Sequence, residues 1–71
     1  MKITKNECFG WLGFQVLYKR KIWRIVDFDW ASYEYELQPE FRSDHNIWVP
    51  MHRLFGCEIV GDARKGIKYE A

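Results

Sequence analysis

The sequence predicts an all-β fold: a single small domain of about five short strands, with one helical turn before the last of them. Three observations carry that expectation. Apolar residues recur at period two, or in short runs bounded by Gly, Pro, Asp or clustered charge, and no stretch shows the 3.6-residue spacing of a long amphipathic helix. Hydrophobic residues fill 48% of the chain, too much for disorder, whereas Gly 5 and Pro 2 are too few for a low-complexity linker. The length of 71 residues leaves room for one core. Because so short a domain buries only about 60% of its unfolded surface, every large apolar side chain counts.

The first strand is Phe14–Tyr18, a run of β-formers behind Gly10 and Gly13. Lys19, Arg20 and Lys21 interrupt the apolar pattern before Ile22-Trp23-Arg24-Ile25-Val26-Asp27-Phe28 resumes it, so a tight hairpin leads into a second and longest strand. There Trp23 and Ile25 share a face, but strict alternation turns Asp27 inward and leaves Val26 and Phe28 outside. A one-residue bulge near Val26 or Asp27 returns Phe28 to the core and supplies the bend that closes a small sheet. A strand passing between two sheets, apolar on both sides, accounts for the same residues. Asp29-Trp30-Ala31-Ser32 is a turn, since Asp and Ser bond nearby backbone groups. Tyr33-Glu34-Tyr35-Glu36-Leu37-Gln38 then alternates without fault, with Tyr33, Tyr35 and Leu37 on one face, and Pro39 ends it. Residues 40–46 form a polar loop, Ile47-Trp48-Val49 a fourth strand closed by Pro50, Met51–Leu54 a helical turn, and Cys57-Glu58-Ile59-Val60 a fifth strand. The core is expected within residues 13–60, and 61–71 is expected to be a charged tail.

In that order, Gly13-Phe14-Gln15-Val16, the hairpin into Lys21-Ile22-Trp23-Arg24-Ile25, the strand from Tyr33 to Leu37, and Trp48-Val49-Pro50 followed by Leu54 resemble the SH3-like small barrels. That group includes Tudor, chromo-related and KOW-type modules. The resemblance covers roughly residues 13–60 and implies a five-stranded barrel with a helical turn between its last two strands. It is a pattern of elements and speaks to architecture, not to function. Peptide-binding SH3 domains carry an Ala-Leu-Tyr-Asp-Tyr-like stretch, a Trp-Trp pair and a Pro-x-x-Tyr. Here Lys19 follows Val16-Leu17-Tyr18, Trp23 stands alone and no Tyr lies three residues beyond Pro50, so proline-rich recognition is not expected. Lys19-Arg20-Lys21 replaces the glycine-containing turn of KOW motifs. Tudor-type cages need several rings converging on a cation. The rings are present, and their placement is open.

The net charge of +1 implies no bulk attraction to nucleic acid or membrane, but its distribution is uneven. Residues 1–26 carry a net +5, residues 27–44 a net −5 and the remainder +1. Opposite charges on adjacent strands pairing across the sheet is the expected explanation. A dipolar surface that orients a charged partner is the alternative. No run of apolar residues is long enough for a membrane span or, behind the N-terminal lysines, a signal peptide, so a cytoplasmic setting is expected. Cys8 and Cys57 are accordingly expected as reduced, small apolar residues.

Chemistry-bearing constellations are weak. Cys8, His45, His52 and Cys57 are zinc-ligand types, but the two histidines stand seven apart and no Cys-x2-Cys pair exists. Cys57 with His52 has the elements of a nucleophile and base, yet Cys57 falls in an apolar strand. Asp27, Asp29, Glu34 and Glu36 are ordinary solvated carboxylates of a strand's outer face, and Gly10 and Gly13 lack the third glycine and the helix of a phosphate loop. No enzyme, cofactor or metal is expected. Two binding surfaces remain. The aromatic complement, Trp 4, Tyr 4 and Phe 5, exceeds what so small a core hides. Trp11, Trp30 and Trp48 are the expected surface rings, with Tyr33 and Arg42 beside them as a protein-binding or self-association face. If Trp11 and Trp48 instead cover an open barrel end, that face shrinks. The other surface is the basic hairpin, where Lys19, Arg20, Lys21 and Arg24 among Tyr18 and Trp23 suit phosphates and stacked bases of a nucleic acid. The size suits a small accessory protein of the kind phages and mobile elements carry.

Overall fold

The computed structural model describes residues 2–3, 10–40 and 45–68. Along the chain come β1 (Phe14–Tyr18), β2 (Lys21–Asp29), β3 (Glu34–Pro39), β4 (Ile47–Pro50), the one-turn helix α1 (Met51–Leu54), β5 (Ile59–Asp62) and β6 (Ile67–Lys68). All strands pair antiparallel in one six-stranded sheet, in the order β4-β3-β2-β1-β5-β6. The chain is therefore mostly β, as expected. Hydrogen bonding does not close the sheet into the expected five-stranded barrel, because β4 and β6 stand as its two edges. No helix among the described residues is long and apolar enough to cross a membrane.

The inward faces of β1 to β5 supply the core: Val16 from β1, Trp23, Ile25 and Phe28 from β2, Tyr35 and Leu37 from β3, Val49 from β4 and Ile59 from β5, with Leu54 of α1 as its cap. Trp23 inserts its indole with the Nε1–H donated to the Tyr18 carbonyl at 3.1 Å, so the buried ring leaves no orphan donor. In β2 the register against β3 runs Ile25↔Leu37 and then Asp27↔Glu36, so Val26 is the extra residue of a bulge. The bulge turns Phe28 inward opposite Tyr35 and Asp27 outward, as the broken alternation of the sequence requires.

Four expectations change. Trp11 is buried at 6% exposure, not at the surface: a turn over residues 10–13, closed by Phe14 N–H to the Trp11 carbonyl at 3.1 Å, folds its ring into the core and edge-on to Phe14. Tyr33 does not extend the inner face of β3. It adopts a left-handed φ of 54° in the turn before that strand, which sends its ring outward. The fifth strand begins at Ile59 and not at Cys57. The expected tail from residue 61 is ordered through Lys68, since Gly61 and Asp62 complete β5 and Ile67–Lys68 return along it.

The reason for that last change is Asp62, the buried acid at 1% exposure. Its carboxylate accepts the Arg64 backbone N–H, Nε and Nη2, each at 3.0 Å, which builds the turn between β5 and β6. Arg64 then lies 4.7 Å over the Phe14 ring and across Gly13, where a Cβ would collide with its Cγ and Cδ. The N-terminal segment also docks: Ile3 is buried, exchanging backbone hydrogen bonds with Cys57 and Gly56 at 3.1 and 3.0 Å, and Lys2 bridges to Glu58.

Candidate functional site

The β2–β3 turn presents one aromatic patch. Asp29 Oδ1 accepts the Ala31 N–H at 2.8 Å, the local bond that makes Asp a turn residue, and the left-handed Tyr33 completes the reversal. The Tyr33 carbonyl accepts the Met51 N–H at 2.8 Å, tying the turn to the start of α1. Two rings leave the turn for solvent, Trp30 and Tyr33, each 55% exposed. They stand edge-on to each other with centroids 6.1 Å apart, and Trp30 rests edge-on upon the buried Phe28 at 5.1 Å. Phe28 in turn packs on Tyr35 at 4.9 Å, so the exposed pair is anchored through the core. Trp48 is the third exposed ring of this expected set, at 45%, projecting from the outer face of β4 opposite Glu36.

At two positions of the β2–β3 pair the expected pairing of opposite charges does not occur. Asp27 faces Glu36 and Asp29 faces Glu34, like against like. The cause is the Val26 bulge, which shifts both aspartates onto the outer face that the glutamates of β3 already occupy. Asp27 and Asp29 accept backbone N–H groups of Phe28 and Ala31, and Glu36 accepts from Asn46 at 3.2 Å. Among the described residues no cation forms a salt bridge with any of the four. The bulge and the alternation of β3 were both readable from sequence, and taken together they predict this concentration of carboxylates.

At the other end of β2, Lys19 and Arg20 both adopt left-handed φ values, 51° and 65°, the signature of a two-residue type I′ hairpin. Lys19, Arg20 and Lys21 are exposed, with the Lys19 ammonium 5.5 Å over the Tyr18 ring. Arg24, expected with them, is hydrogen-bonded to Gln38 on the outer sheet face. The hairpin instead meets β4 and α1: Tyr18, Lys19, Ile47, Trp48, Val49, Pro50 and Arg53 line one open groove of about 310 Å³. Arg53 was not singled out in the sequence, and its position one helical turn after Pro50 is the only signal that pointed to it.

Trp11 is removed from the candidate surface by its burial, and Arg42 and Cys8 lie outside the described residues. Leu17, 42% exposed on β1, is an exposed apolar residue that the period-two reading did not single out. Cys57 is a half-buried free thiol that points at the Arg53 carbonyl at 3.8 Å, and burial pushes its pKa up, away from the nucleophilic thiolate. Among the described residues no group of three or more His, Cys, Asp and Glu is placed to hold a metal ion. Compared with protein-family models, curated proteins and solved structures, the chain matches none.

Proposed function

We propose that this chain is a non-catalytic protein-binding module of the SH3-like small-barrel kind, and that its partner docks on Trp30, Tyr33 and Trp48. The barrel reading is supported by a strand order that runs β5-β1-β2-β3-β4, by the kink of β2 at the middle of that order, and by the groove in which the β1–β2 hairpin meets the edge of β4. One observation carries the functional reading: large rings stand in solvent, two of them fixed against each other and against Phe28. A ring already immobilised loses little conformational freedom on binding, which is why rigid Trp and Tyr dominate interface energetics. The carboxylates of Asp29 and Glu34, beside Trp30 and Tyr33, would orient the approach of a partner at that end of the surface. The free Cys57 thiol fits a reducing, cytoplasmic setting.

Affinity capture with the wild type, Trp30→Ala/Tyr33→Ala, Trp48→Ala and Lys19→Ala/Arg20→Ala/Lys21→Ala tests it, each protein checked first for an unchanged melt. A protein retained by the wild type and the hairpin variant but lost from both ring variants is the expected result. Equal retention by all four, or a loss confined to the hairpin variant, would overturn the proposal.

A further inference from the structure

The sequence offered exposed rings and a basic hairpin as separate features, and the fold joins them in the groove between the hairpin and β4. Two of its lining residues are cations, Lys19 and Arg53, and two are aromatic, Tyr18 and Trp48. None is acidic. Glu34 and Glu36, the carboxylates nearest in register to Pro50 and Trp48, belong to β3, which contributes no residue to the lining. The lining itself therefore carries two cations and no anion, although the whole chain is close to neutral. Its volume of about 310 Å³ lies at the small end of ligand-sized clefts. Trp48 is 45% exposed, and the exposed Arg20 and Lys21 continue the positive charge along the hairpin. Both turn residues hold left-handed conformations that Asn and Gly adopt with less strain, so the turn carries cations where its backbone favours other residues.

We propose that this groove binds a nucleotide unit of single-stranded nucleic acid, with a base stacked on Trp48, flanking phosphates held by Lys19 and Arg53, and the strand continuing over Arg20 and Lys21. This activity is distinct from the protein-binding reading and does not depend on it. Nucleic acid is favoured over a bare anion because rings and cations line the same groove, the combination that sequence-tolerant single-strand binders use.

The probe is a fluorescently labelled deoxythymidine oligonucleotide of about 12 nucleotides, titrated by anisotropy. Saturable binding is expected, with a logarithmic salt slope of about −2 to −3 for the four cations. Trp48→Ala lowers affinity by at least about fivefold, while Trp48→Phe, which keeps a stacking face, restores most of it. Lys19→Ala and Arg53→Ala each weaken binding and flatten the salt slope by about 0.7. Lys65→Ala removes the same charge outside the groove and has a smaller effect. A thermal melt of each variant separates lost binding from lost folding. The proposal is overturned by no saturable binding at about 50 mM salt, by a duplex of the same length binding equally well, by inorganic polyphosphate competing as effectively as the oligonucleotide, or by Lys65→Ala matching Lys19→Ala.

Discussion

At the scale of single residues, Asp62 and Arg64 show how one buried acid orders the end of a small chain. The Arg64 guanidinium hydrogen bond, followed by its backbone N–H and the charges of Arg64 and Lys65, outweighs burial and holds the Asp62 carboxyl below its usual range. The folded protein thus binds this proton less readily than the unfolded chain. The stabilisation is complete above the ordinary Asp value of about 3.9 and is lost as pH falls through the lower folded value. Arg64→Ala removes the main lowering influence, so acid loss of melting temperature should begin at higher pH than in the wild type. Melts between about pH 2 and 7 would show it, and superimposable profiles would refute it. Gly13 belongs to the same assembly: its φ of 91° and the Arg64 side chain laid across it leave no room for a Cβ. Neither role was readable in the sequence, because Asp62 looks like any acid after a glycine until β6 and Arg64 close over it. Trp11 escaped for a related reason, since a turn before a strand has no periodicity to betray an inward ring.

At the scale of elements, period two performed well where a strand is half buried. The bounds of β1, the helical turn over Met51–Leu54 and the bulge in β2 all followed from alternation and its single fault. It failed at Tyr33, whose left-handed conformation a side chain other than Gly rarely adopts, and at β6, two residues too short to carry a pattern. The bulge makes a sharp prediction. Val26→Ala trims a half-buried side chain and should cost less than about 1 kcal/mol. Deleting Val26 leaves Ile25, Asp27 and Phe28 in unbroken alternation, with Phe28 inward and Asp27 outward, so it removes only the kink and should leave a folded domain in urea titration. A deletion variant that fails to fold would show that Val26 is not the inserted residue. The hairpin makes an opposite one. Lys19→Asn/Arg20→Gly relieves two left-handed conformations and should raise stability by about 1 kcal/mol in the same titration, while lowering oligonucleotide affinity. That trade of stability against binding is the mark of strain kept for use.

At the scale of the whole molecule, the nearly balanced sum of charges conceals a polar arrangement. β2 begins at Lys21 beside the basic turn and ends at Asp29 among the carboxylates, so opposite charges occupy opposite ends of the longest strand. Screening should therefore act on approach more than on residence: raising salt from about 50 to 500 mM slows association with a charged partner, whereas Trp48→Ala chiefly speeds release, as stopped-flow measurement would resolve. Equal effects of salt on both rates would count against a steering role. The edges of the sheet are guarded by modest means, since β4 is four residues long and ends in a proline with no N–H to offer another chain. The single inserted position in β2 binds the molecule's inside to its outside. Because the same backbone offset that brings Phe28 beneath the sheet also lifts two aspartates above it, packing and surface chemistry cannot drift apart: straightening β2 with every residue kept would expose the ring and sink both acids at once.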